Sequence, residues 1–177
     1  MILSEILPYE KYVLVSLLTP AEIGRRIEAA IEPRNTTVFN SFTRRSTKPY
    51  EGEHIGDRFE ISRIIDYRNS FLPDISGHIT PYGSQTRIAI TMHLSPLVLV
   101  FMVVWLGTVG SMCLGIIITG SLPLERRLFK ALSDPEFTPF GMFIFGCLLA
   151  IIPFKIESKK SKRFLANLFD GQEVKDL

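Results

Sequence analysis

From residue 97 to residue 118 the chain carries no Asp, Glu, Lys or Arg. At ~1.5 Å of helical rise per residue, a run of about 22 residues reaches roughly 33 Å, enough to cross the hydrocarbon core of a bilayer. No other feature limits the possible folds so sharply. A second apolar run over residues 137–154 is shorter, nearer 18 residues, and holds Pro139 and Pro153 close to its ends, where proline is tolerated in a spanning helix. The sequence therefore predicts two membrane spans, about 97–118 and 137–154. Between them Leu124, Leu128 and Leu132 recur every four residues among Glu125, Arg126, Arg127 and Lys130, the pattern of an interfacial helix.

The ninety-odd residues before the first span have ordinary polar patterning, and the expected class is α+β: a mostly antiparallel sheet with one N-terminal helix, followed by a two-helix transmembrane hairpin. Residues 12–18 form an apolar, β-branched run of strand length, suited to a central strand. Thr19-Pro20-Ala21-Glu22 then reads as a capping box with proline at the first helical position, and Ile23, Ile27, Ala30 and Ile31 line one side of the helix it opens. Pro33 ends it. Residues 34–49, rich in Asn, Thr, Ser and basic side chains, allow one weak strand within a loop. Residues 58–67 alternate as a half-buried strand, except that Arg63 falls on the apolar parity and Ile64-Ile65 suggests a bulge. Residues 75–80 and 86–94 flank Pro81-Tyr82-Gly83-Ser84 as a β-hairpin with one packed face. The domain reading is a head over 1–94 able to form its own core, a membrane hairpin over 95–156, and a basic tail over 157–177.

The residues around Tyr67-Arg68-Asn69-Ser70-Phe71-Leu72-Pro73, with Phe59-Glu60-Ile61-Ser62-Arg63-Ile64-Ile65-Asp66 before and Gly77-His78-Ile79 after, resemble a group of uncharacterised bacterial two-span membrane proteins with a β-rich head. The resemblance covers residues 50–105 and implies the architecture, with no activity, ligand or catalytic residue attached.

Topology follows from charge. Met1 to Pro20 lacks the basic start and unbroken apolar stretch of a cleaved signal. Lys155, Lys159, Lys160, Lys162 and Arg163 outnumber Arg126, Arg127 and Lys130 between the spans. By the positive-inside rule, head and tail lie in the cytoplasm of a cell with an inner membrane.

Where chemistry could reside is less constrained. Arg63, Arg68, Asn69 and Ser70 form a candidate pocket for an anionic ligand or phospholipid head group, since guanidinium presents a planar donor fork. The competing reading gives Asn69 and Ser70 a turn-forming role and Arg63 a snorkelling one. Lys159, Lys160, Lys162 and Arg163 are candidate lipid head-group contacts, and Arg44, Arg45 and Lys48 form a second small basic cluster. Gly107, Ser111 and Gly115, with Gly146 and Ala150 in the second span, would let helix backbones approach closely, either within one chain or between subunits. Cys113 and Cys147 sit inside the apolar runs as small hydrophobes. His54, His78 and His93 are scattered, so no metal and no cofactor is expected, and a net charge of +2 without a binding motif argues against a nucleic-acid partner. No Gly-x-Ser-x-Gly turn or phosphate-binding glycine loop is present. The expected partners are the bilayer, another copy of the chain or a membrane protein. The leading expectation is a nonenzymatic membrane-anchored module that binds a ligand, lipid or partner. An oligomerising channel-like or membrane-disrupting effector and a membrane enzyme using residues 63–70 are the alternatives.

Overall fold

The computed structural model describes residues 7–33, 47–65, 67, 69–118 and 137–174. The chain divides into two compact units, one made of Met1–Ser95 with Pro153–Leu177 and the other of Pro96–Ile152.

The first unit is built on a seven-stranded sheet: β1 (Tyr9–Ser16), β2 (Ile31–Glu32), β3 (Tyr50–Ile55), β4 (Arg58–Arg63), β5 (Pro73–Tyr82), β6 (Gln85–Leu94) and β7 (Gln172–Val174), in spatial order β2-β3-β4-β5-β6-β1-β7. Every neighbouring pair is antiparallel except β2 with β3. Register puts one continuous set of side chains on a single face: Tyr50, Phe59, Ile61, Ile75, Ile79, Ile88, Ile90, Met92, Tyr12 and Leu14, all buried. The opposite face carries Glu51, Glu53, Glu60, Ser76 and Thr91, the period-two alternation of a sheet packed on one side. The expected hairpin is β5–β6, with β5 two residues longer at each end than the expected 75–80 and Gly83 taking φ +59° in the turn.

Two helical segments cover the packed face. Helix α1 (Pro20–Ala30) opens with the capping box: the Thr19 side chain accepts from the Glu22 backbone N–H, and the Glu22 carboxylate accepts from the Thr19 N–H at 3.0 Å. Its Ile23 and Ile27 are fully buried. The second cover was not expected. Helix α3 (Thr138–Leu168) does not stop at Pro153 but runs through it, and its residues 153–168 belong to the first unit rather than forming a separate basic tail. Phe154 and Leu165, and Phe169 just beyond the helix, are completely buried. The Phe164 ring sits 4.8 Å from Tyr50, and the Phe169 ring 6.0 Å from Phe59. Ser158 donates to Met92 Sδ, Tyr50 donates to Ser161 Oγ, and Ser16 donates to the Phe169 carbonyl. A Schellman-type end closes the segment, with Gly171 N–H bonded to the Ala166 carbonyl and Asp170 at φ +46°, and turns the chain into β7. Residues 1–94 are thus only part of the head.

Three other expectations change. Strand β4 ends at Arg63 and does not extend to residue 67. Strand β3 was not anticipated, because its inward side reads Tyr50, Gly52, His54 and lacks an apolar alternation. Gly52 is required there: at φ +153° a Cβ would lie 2.0 Å from the Glu60 carbonyl oxygen. Strand β1 lies next to the edge of the sheet instead of at its centre, although Tyr12, Val13 and Leu14 are all buried. The weak strand allowed in 34–49 and the interfacial helix at 124–132 fall wholly or mostly outside the described residues.

The second unit contains α2 (Pro96–Ile118) and residues 138–152 of α3. Both helices are long and apolar enough to cross a membrane, with mean hydropathy 2.3 for α2 and 2.0 for α3, and only 17% of each apolar window is buried. Large apolar side chains point outward along them, including Val103, Leu114, Phe145 and Leu148. Met102, Val109 and Cys113 form the buried side of α2.

A buried carboxylate cluster as candidate functional site

Among the described residues the densest buried polar cluster centres on Glu157, one turn past Pro153. Its side chain is 3% exposed, yet its carboxylate is fully occupied. Arg63 Nη1 donates to Oε2, Tyr67 Oη donates to Oε1 at 2.5 Å, and Lys160 Nζ donates to Oε1 at 2.7 Å. Lys160 also lies 5.9 Å from the Tyr67 ring centroid. Burial alone would push the Glu157 pKa up, but the bonds from Lys160, Tyr67 and Arg63 outweigh it and hold the carboxyl below its ordinary value.

The parity break read at Arg63 has this cause. Position 63 belongs to the packed face, opposite Tyr50, and the guanidinium satisfies a carboxylate that α3 brings there. Its side chain is still 29% exposed, so it remains partly hydrated. Asn69 Oδ1 accepts from the Phe71 N–H at 3.0 Å, an Asx-type turn, and Ser70 is exposed. Arg68 lies outside the described residues. Arg63 and Asn69 are therefore each engaged within the chain, and the structure brings Arg63 to Glu157, Tyr67 and Lys160, three residues the sequence pattern did not place with it. Tyr67 is four positions from Arg63, but no local signal could have joined Arg63 to Glu157, 94 positions away.

A second ionic contact stands beside the first. Glu10 Oε1 accepts from Lys155 at 3.0 Å and Oε2 pairs with Lys162 at 2.8 Å, while Lys162 Nζ also sits 4.6 Å from the centroid of the Tyr12 ring. Burial raises the Glu10 pKa, and the Lys162 and Lys155 bonds more than reverse this. The four basic residues read as one lipid-facing cluster thus separate. Lys160 and Lys162 are tied to Glu157 and Glu10, whereas Lys159 and Arg163 are exposed with no ion-pair partner among the described residues. In the second cluster Lys48 donates to the Glu28 and Ile31 carbonyls, and Arg44 and Arg45 are outside the described residues.

The small residues in the apolar helices also separate. A Cβ on Gly146 would approach Leu106 at 3.2 Å and Trp105 at 3.3 Å, and one on Gly110 would approach Phe143 at 3.3 Å, so these glycines lie where α2 and α3 meet. Ala150 is buried. At Gly107 and Gly115 an added Cβ meets nothing within 4 Å, and Ser111 is exposed, its hydroxyl returned to the Thr108 carbonyl at 2.7 Å. The histidines lie on three different strands, β3, β5 and β6, with His54 beside Glu28 and His78 beside Asp57. No protein-family model matches this chain, and no curated protein or solved structure proves similar to it.

Proposed function

We propose that this chain is a nonenzymatic, membrane-anchored binding module of the inner membrane, with its sheet-bearing head on the cytoplasmic side. The observation that carries this reading is the change of character along α3: residues 138–152 present apolar side chains outward, while residues 153–168 bury Glu157, Ser158, Ser161 and Leu165 and carry five cations. A helix patterned this way suits a span that leaves the bilayer into a folded cytoplasmic domain. Support for orientation comes from the excess of cations on the head's side over those between the spans. The test is a pair of fusions in a Gram-negative host. A reporter active only in the periplasm should be silent at the C-terminus and active when inserted near residue 133, with the protein resisting alkaline carbonate extraction. The reverse pattern, or release by carbonate, would overturn the reading.

A second reading, an oligomerising membrane effector, is favoured by the open space beside Gly107 and the exposure of Ser111. Gly107→Leu should then lower the oligomer mass in mild detergent, whereas Gly146→Leu should lower thermal stability through Trp105 and Leu106. Unchanged mass in the Gly107 variant would remove this second reading.

A further inference from the structure

Along one side of the head's part of α3 the outward residues are Ile156, Lys159 and Arg163, spaced three and four apart, so all fall within a narrow arc of the helix surface. Ile156 is 51% exposed. Polarity therefore changes from an exposed apolar side chain to an exposed cation within one turn. The opposite side holds Phe154, Glu157, Ser158, Ser161 and Leu165, all buried against the head's own residues. The neighbouring cations have other tasks: Lys155 and Lys162 hold Glu10, and Lys160 holds Glu157. Lys159 and Arg163 are one turn apart and make no ion pair among the described residues.

From this arrangement we infer that Lys159 and Arg163 form a binding site for the phosphate of an anionic phospholipid head group, with Ile156 against its acyl chains. The inference rests on the membrane-anchored reading and narrows it to a lipid class and two residues. Guanidinium gives a phosphate two parallel donors and the ammonium adds a mobile third, while long aliphatic stems let both heads reach outward from apolar surface. Cations placed at the boundary of an apolar helix face meet the negative leaflet at short range, where each is worth about a fivefold gain in binding. Lys160 and Lys162, although adjacent in sequence, are held by carboxylates and make no such contact.

The experiment uses the full chain in a neutral detergent, with lipid binding followed by native mass spectrometry. Phosphatidylglycerol should bind and phosphatidylcholine should not compete. The double variant Lys159→Gln with Arg163→Gln should lose phosphatidylglycerol binding by roughly thirtyfold. A charge-matched control, Lys11→Gln with Arg25→Gln, should keep it, and Lys159→Arg with Arg163→Lys should restore most of it. Circular dichroism should be unchanged throughout, since all four positions are exposed. Retention of binding by the double variant, or equal loss in the control, overturns the site. Equal competition by inorganic phosphate assigns the pair to a free anion and overturns the lipid. Flotation with phosphatidylcholine vesicles at high salt separates the two levels: a chain that floats but fails the lipid test loses the head-group site alone, whereas one that does not float loses its membrane anchoring as well.

Discussion

The two halves of α3 are one uninterrupted helix with opposite logic. Residues 138–152 keep apolar side chains outside and small ones, Gly146 and Ala150, inside. Residues 153–168 do the reverse, setting Phe154 and Leu165 inward and leaving Lys159 and Arg163 outside. The first half has the pattern of a helix whose solvent is hydrocarbon, where packing depends on close backbone approach. The second half is an ordinary amphipathic helix whose stability comes from apolar burial against a sheet. A single element can obey both rules because its backbone hydrogen bonds, apart from the one that Pro153 cannot donate, are made within the helix in either solvent.

The severest way to break the comparison is to remove the second half. A chain truncated after Leu94 loses the cover over Tyr50, Phe59 and Met92 and loses the Glu157 and Phe169 contacts, so it should aggregate or lack a cooperative unfolding transition. Joining residues 153–177 to Leu94 through a flexible linker of about ten residues should restore a soluble, cooperatively folding head. Cooperative unfolding of the 1–94 fragment by itself would show that the helix is an accessory.

A like-for-like substitution sharpens the contrast. Leu165 is fully buried in the head, and Leu165→Ala should cost the head about 2–5 kcal/mol in denaturant unfolding. Leu148 is 47% exposed on the apolar half, and Leu148→Ala should leave the head's unfolding midpoint unchanged. Equal effects would mean that both halves bury leucine against protein.

The smallest effect concerns the ionic clamp. Glu157→Gln keeps volume but removes the charge bound by Arg63, Tyr67 and Lys160, and should cost about 1–3 kcal/mol near neutral pH, because Arg63 and Lys160 are exposed enough to regain water. The pH dependence has a definite sign. Glu157 is held below 4.5 in the folded head, so on acidification the unfolded chain takes up its proton first and stability falls as pH drops through the window from 4.5 down to the folded value. Above that window the contribution is complete. The variant should show a shallower acid limb in melting temperature against pH, with the remaining slope belonging to Glu10 and Glu22, which are lowered too. An unchanged acid limb would show that the cluster does not stabilise the folded state.

Several features were legible because their causes are local. The uncharged run that becomes α2, the Thr19 to Glu22 capping box and the β5–β6 hairpin each depend on residues a few positions apart, where hydropathy, caps and turn chemistry operate. Even Arg63 announced itself as a break in parity, although its reason did not. Strand β3 was hidden because two of its inward positions are Gly52 and His54, the first dictated by a carbonyl on the neighbouring strand and the second by the helix it packs against. Charge density made residues 157–177 resemble a solvated tail, since sequence shows that a lysine is present but not which carboxylate it meets. Only the tertiary structure, by carrying α3 back across the sheet, decided that Lys162 turns to Glu10 and that Arg63 and Tyr67 join the Glu157–Lys160 pair, while Lys159 and Arg163 face outward. Burial and ion pairing are properties of neighbours in space: Glu157 and Lys160 are three positions apart on α3, but Tyr67 lies 90 positions from Glu157 and Glu10 lies 145 from Lys155.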